Sequence, residues 1–239
     1  MENILLPSRV SIEAGQNDCE AQLIVEPCFH GYGTTLGNAL RRVLLSSLVG
    51  AAITSVKIKG FTHEFQAIPN VKEDVLQVIL NLKQVRVRVH TDEPVKIELH
   101  VKGKKIVTAG DIQANADVEI VNPGLELLTL TDDAASIDME LMVERGRGFS
   151  PTEERDTTSH DLGTIAIDAL FSPVRNVSYR VDETRVGEIT DYDKLILSIE
   201  TDGTITPKKA VEEATNILKN YLSIITQQIG GQEPEAVEA

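Results

Sequence analysis

Residues 31–48 read Gly31-Tyr32-Gly33-Thr34-Thr35-Leu36-Gly37-Asn38-Ala39-Leu40-Arg41-Arg42-Val43-Leu44-Leu45-Ser46-Ser47-Leu48. A glycine-broken loop runs straight into a segment in which Leu36, Ala39, Leu40, Val43, Leu44, Ser47 and Leu48 step by three and one. That period predicts an amphipathic helix over 34–48, with Thr34 or Thr35 as its N-cap. Arg41 and Arg42 stand side by side next to the stripe. They have two readings. One is a solvated or locally salt-bridged helix face, since surface ion pairs are common and weak. The other is a partner contact, since arginine is enriched in interfaces and pairs bidentately with carboxylates. The local pattern leaves both open.

Outward from this helix the chain alternates between strands and two further amphipathic segments. Residues 19–27 read as a strand closed by Pro27, residues 52–59 as a half-buried alternating strand, and residues 61–66 as a short partner. Val71, Val75, Val78, Ile79 and Leu82 share one helical face, which predicts a helix over 71–82. From 84 to 145, alternating apolar residues such as Val85, Val87, Val89 and Val95, Ile97, Leu99, Val101 are separated by turn signals, an antiparallel β-rich pattern. Residues 146–163 are polar and read as a surface loop. Structure resumes at 164–167, and Val177, Tyr179, Val181 and Leu195, Leu197, Ile199 mark two strands joined by a long polar connection.

The last helix has the clearest start. Thr206 caps it and Pro207 takes the first helical position, where a missing N–H costs nothing. Its apolar residues, from Ala210 through Leu222 and Ile225 to Ile229, cover more than the roughly 100° of arc that one core requires. Either the helix is buried centrally or it carries a second apolar face for another chain. The pattern is α+β, with one domain made of both chain ends, 1–49 and 173–230, and a β-rich domain, 50–172, inserted between them. Residues 231–239 read as an acidic linker or tail.

Composition narrows the function. The 37 acidic residues against 23 basic ones give a net charge of −14, opposite to what a free-standing nucleic-acid binder presents. Cys19 and Cys28 are too few for a disulfide framework and match no zinc spacing, so they read as free thiols. The N-terminus lacks a signal-peptide pattern and no apolar run is long enough to span a bilayer, which points to a cytoplasmic protein with no membrane partner.

The remaining motifs favour bland readings. Gly31, Gly33 and Gly37 follow a strand and open a helix, which invites a nucleotide-binding alternative. Their spacing is G-x-G-x-x-x-G rather than G-x-G-x-x-G, and the acidic residue expected about 20 positions later is replaced by a region with Lys57 and Lys59. A tight turn and close helix packing at Gly37 explain the glycines better. His30, His63, His90, His100 and His160 form no ligand pair at helical spacing, so no metal site is expected. Asp132-Asp133 and Asp191-Tyr192-Asp193 read as solvated turns, and Glu144–Phe149, with its single Arg-Gly-Arg-Gly, as a strand ending in a glycine turn rather than an RNA-binding repeat. No nucleophile has a plausible base partner, so no catalytic residue or cofactor is expected.

The stretch Gly33–Arg42 closely resembles the N-terminal part of the bacterial RNA polymerase alpha subunits. Further segments match in order: His63-Glu64-Phe65, Val71-Lys72-Glu73-Asp74-Val75, Asn81-Leu82-Lys83, Val143–Phe149, Ser172-Pro173-Val174, Asp193-Lys194-Leu195 and Asp202–Pro207. The resemblance covers about residues 19–225. It implies a homodimeric, non-catalytic scaffold of a nucleotidyltransferase, whose dimer forms first, then binds the β subunit and then β′, with catalytic residues and magnesium in those large subunits. It implies that the end-to-end domain dimerises through its first and last helices. Tyr32, Leu36, Leu40, Leu222 and Ile225 are the candidate dimer contacts, Tyr32 standing where many relatives carry Phe. Arg42, with its neighbour Arg41, and His63, Glu64 and Phe65 resemble the β-facing positions; Lys83 and Ile167 resemble positions tied to β′. The family continues through a linker into a C-terminal DNA-binding domain. This chain stops at 239 within linker-like sequence, so DNA is expected to be reached only through the assembled enzyme.

Overall fold

The computed structural model describes residues 4–113, 115–155, 163–187 and 189–229. In chain order the elements begin with β1 (Arg9–Ala14), β2 (Glu20–Cys28), α1 (Tyr32–Ser46), β3 (Val49–Ile58), α2 (Val75–Leu82), β4 (Val87–Val89) and β5 (Val95–Lys102). They continue with β6 (Lys105–Thr108), β7 (Val118–Ile120), β8 (Glu126–Leu130), β9 (Ser136–Arg147), β10 (Phe149–Ser150), β11 (Thr164–Ala166) and β12 (Ala169–Leu170). The chain closes with β13 (Val174–Val186), β14 (Ile189–Thr201) and α3 (Pro207–Ile229). Helices and antiparallel sheets together make an α+β protein. The elements separate into two compact units, one built from β1 to α1 with β13 to α3, the other from β3 to β12.

The first unit is a four-stranded antiparallel sheet in the order β1-β2-β14-β13. Register places Val25 opposite Leu195 and Leu23 opposite Leu197, and Tyr179 opposite Leu197 and Val181 opposite Leu195. With a side-chain period of two, these residues line one face. Leu40, Leu44 and Leu48 of α1 and Ala210 and Ala214 of α3 close over that face as a single aliphatic core. Two glycines set how near α1 lies. A Cβ on Gly33 would sit 2.9 Å from Val181 Cγ1, and one on Gly37 would sit 2.7 Å from the Tyr179 ring and 2.9 Å from Leu195 Cδ1. The four-residue spacing that breaks the nucleotide-binding pattern is therefore one helical turn of bare backbone laid on the sheet.

The second unit holds the sheet β11-β3-β9-β5 and the short pairs β4–β7, β6–β8 and β10–β12. Its core is also aliphatic: Val56, Val75, Val78, Leu82, Leu99, Leu128, Leu141 and Val143 are all 1% exposed or less. Asp74 starts α2 by accepting from Gln77 N–H at 2.7 Å, an N-cap that leaves Val71 outside the helix expected over 71–82.

Several expectations change. α1 begins at Tyr32, and its N-cap is Gly31 with φ 78°, a left-handed conformation that suits glycine, in place of Thr34 or Thr35. Residues 61–66 form no strand; the Gln66 side chain turns back to accept from Thr62 N–H at 3.1 Å. Pro27 lies inside β2, which runs on to Cys28. β13 and β14 extend to Val186 and from Ile189, so the long polar connection between them is strand instead. The polar stretch 146–163 contributes the end of β9, then β10 and a short 3-10 turn at Thr152–Glu154, while 156–162, with His160, lies outside the described residues. Residues 231–239 also lie outside them. α3 starts as read, with Lys209 N–H donating to Thr206 Oγ1 at 3.4 Å.

Gly37→Ala tests the close approach of α1. Alanine gains up to about 1 kcal/mol of helix propensity, but the Cβ meets a ring and a leucine methyl, an overpacking that costs about 1–3 kcal/mol. Denaturant unfolding is expected to show a net loss of about 1–2 kcal/mol, whereas an unstrained site would show a gain.

Candidate functional site

In the first unit the outward faces of α1 and α3 carry the candidates. The last nine described residues of α3, Tyr221–Ile229, are all exposed. They include Tyr221, Leu222, Ile224, Ile225 and Ile229, with Leu222 63% and Ile229 83% exposed. A protein normally scatters its exposed apolar residues, and a concentration of this kind marks a face that another surface covers. The central-burial alternative for this helix is therefore overturned: only Pro207, Ala210 and Ala214, near its start, are buried. On α1, Tyr32 and Leu36 are also exposed, whereas Leu40 is 8% exposed and belongs to its own unit's core. Leu40 thus supports the α1 face from beneath, a correction to its placement among surface contacts.

The two arginines part company. Arg41 donates through Nε to the Val177 carbonyl at 3.1 Å, a bond within its own unit. Arg42 is exposed and makes no side-chain hydrogen bond or ion pair among the described residues. The solvated-or-bonded reading therefore describes Arg41 well and leaves Arg42 as an available cation. The N-terminus of α1 already holds one carboxylate: Gly33 N–H donates to Asp193 Oδ2 at 3.0 Å. A helix start whose free N–H and positive dipole end already hold a carboxylate has little left for a phosphate. This observation argues against the nucleotide alternative at Gly31, Gly33 and Gly37. Asp193 is itself a correction, since it lies in β14 as a cap for another element and not in a solvated turn.

In the second unit His63 and Phe65 are exposed, Phe65 to 78%, and Glu64 is half-buried. Lys83, just past the end of α2, reaches Asp168 Oδ2 at 2.8 Å. Ile167 is 1% exposed, so its side chain cannot meet a partner directly; the surface beside it is Asp168. The structure brings Lys83 and the 167–168 segment together across 85 residues of sequence. Asp168 Oδ1 also accepts from Thr152 N–H at 2.9 Å. The ammonium of Lys83 is the largest influence, followed by the Thr152 N–H, and together they hold the Asp168 carboxyl at about 2. Sequence reasoning missed Asp168 because no local period or motif marks it. Elsewhere, His100 is pinned on the sheet surface between Asp138 Oδ1 and Glu98 Oε2, 3.0 Å from each, and these bonds raise its pKa. Asp132 accepts from Ala134 N–H in a turn, and Gly146 lies against the Phe171 ring, so both motifs keep their bland readings. No helix among the described residues is long and apolar enough to cross a membrane.

Comparison with known proteins identifies the family of the chain. Residues 56–172 match the model for the RNA polymerase Rpb3/RpoA insert domain. The chain is 48% identical over 213 residues to the DNA-directed RNA polymerase subunit alpha of Alkaliphilus oremlandii, covering 89% of this chain and 67% of that one. It is 47% identical to the subunit alpha of Symbiobacterium thermophilum, covering 91% and 69%, and 48% identical to that of Roseiflexus sp., covering 94% and 68%. The chain belongs to the family of DNA-directed RNA polymerase alpha subunits.

The Lys83–Asp168 pair sets a pH dependence. A carboxyl whose folded-state pKa is depressed adds stability above its unfolded value, and that contribution is lost as pH falls through the folded value. The Asp168 carboxyl resonance is expected to titrate near about 2, and Lys83→Met should move it up toward the ordinary value of about 3.9. A wild-type midpoint near that ordinary value would dissolve the pair.

Proposed function

We propose that this chain is the homodimeric scaffold of a DNA-dependent RNA polymerase, one that nucleates the core enzyme by binding first the β and then the β′ subunit. The observation that carries the reading is the run Tyr221–Ile229, a helical segment exposed along its whole length and rich in large apolar side chains. Isolated helices of this length are marginal in water, and their stability comes from packing an apolar face. A second copy offering the same face is the simplest cover, because an isologous two-fold contact uses one patch twice. Leu222 and Ile225 of α3 and Tyr32 and Leu36 of α1 are the proposed contacts.

The remaining surfaces then serve the large subunits. Arg42 supplies a free guanidinium for a carboxylate of the β subunit, and His63, Glu64 and Phe65 supply a second β-facing segment, with exposed Phe65 as an apolar anchor. The region around Lys83 and Ile167 faces β′. The chain contributes no catalytic residue; nucleotidyl transfer belongs to the large subunits, and DNA contact comes through the assembled enzyme. A cytoplasmic setting follows from that role.

The two kinds of surface should separate genetically. Leu222→Asp or Ile225→Asp places an unpaired charge in an apolar contact, and sedimentation is expected to show monomers that stay folded by circular dichroism. If both variants remain dimeric, the α3 contact is misassigned. Arg42→Ala should leave the dimer intact and weaken capture of purified β by about 2 kcal/mol, roughly thirtyfold. Loss of the dimer in that variant would remove Arg42 from the β surface.

A further inference from the structure

Three chain segments of the second unit converge on one carboxylate. Asp168 stands between β11 and β12, with Oδ2 on Lys83 Nζ at 2.8 Å and Oδ1 on the Thr152 backbone N–H at 2.9 Å. Among the described residues, Asp168 alone accepts from both the end of α2 and the 3-10 turn at Thr152–Glu154. The segments on either side of it are tied down nearby. Ile167 N–H donates to the Thr54 carbonyl at 2.8 Å, and Phe171 N–H to the Gly148 carbonyl at 2.8 Å. Arg155 spans to the carbonyls of Thr54 and Ile167. Phe149 pairs with Leu170 across β10 and β12, and both side chains stay exposed, at 62% and 46%.

This arrangement changes what Lys83 can do. Its side chain is about two-thirds buried and already engaged with a carboxylate of its own unit. A partner's carboxylate would have to displace a charge-assisted bond that the backbone of Thr152 also reinforces. The Asp168 side chain, by contrast, ties the two segments that carry Phe149 and Leu170 to the end of a helix packed in the core.

We propose that Asp168 is the positioning residue of the β′-facing surface: it latches Lys83 and the Thr152 turn together, and this fixed shape, rather than the Lys83 charge, is what the partner binds. The proposal rests on the reading of that face as the β′ surface. Lys83 then acts through Asp168, and loss of either residue releases the same segment. A half-buried ion pair with a shared backbone donor behaves as a unit, so its members should not be additive.

The test uses the full chain, in dimers loaded with purified β, with Asp168→Ala, which removes both acceptor oxygens, Lys83→Met and the double variant. Capture of β′ is measured alongside hydrogen exchange at the Thr152 amide in the dimer alone. Each single variant is expected to lose about tenfold in β′ capture, with the double no worse than either and β loading unchanged. Both should also speed exchange at Thr152. Leu170→Ser should reduce capture without touching Thr152 exchange. If Asp168→Ala keeps full capture while Lys83→Met loses it, Lys83 meets the partner directly and the proposal falls. If Thr152 exchange is unchanged in Asp168→Ala, the latch itself is absent. If exchange rises in both single variants but no variant affects capture, the latch stands and the assignment of this face to β′ is what fails.

Discussion

A helix that leaves its own core needs something else to lie against. α3 begins on the sheet of the first unit, with Ala210 and Ala214 fully buried, and then runs on from Tyr221 to Ile229 through residues that are all exposed. Small residues at the start allow close packing on the sheet; large apolar ones follow where no sheet remains. Backbone hydrogen bonds alone hold such an extension weakly, and its exposed leucine and isoleucines favour any arrangement that removes them from water. The proposed two-fold contact meets both needs with one surface. It also has a consequence for assembly, since under the proposed function a symmetric dimer would present each remaining surface twice to two large subunits that differ.

The other helix of that unit shows how a surface is kept available. α1 turns its glycines inward, so the backbone of one turn rests on Tyr179, Val181 and Leu195. Asp193 closes its N-terminus and Val177 takes up Arg41. With those groups satisfied internally, Tyr32, Leu36 and Arg42 remain outward on an element packed closely against the sheet. A rigid platform lowers the ordering cost of binding, which matters more for affinity than the number of contacts.

How much of this was legible depends on the range of the interaction involved. The start of α3 could be read from Thr206-Pro207 because capping is local chemistry, and its excess apolar arc could be read because a 3.6-residue period is local as well. The apolar stripe of α1 was legible for the same reason, but its first turn was not, because Gly31 caps by conformation rather than by a side chain. β1 carries an alternating signal in Val10, Ile12 and Ala14, but it is short, and only its pairing to β2 shows it to be an edge strand of the sheet. The far ends of β13 and β14 escaped because their polar residues look like loop when pairing is unseen. Arg41 and Arg42 are adjacent and identical, and only the carbonyl of Val177 distinguishes them. Asp168 had no sequence signal at all, since its partners lie 16 and 85 residues away.

The mass of the wild-type chain in solution bears most directly on this account. Light scattering across a sizing column, at micromolar loading and below, should give twice the chain mass of 26.1 kDa. A single species at 26.1 kDa throughout that range would mean that the exposed end of α3 has no partner copy, and the scaffold would lose the contact on which its assembly is built.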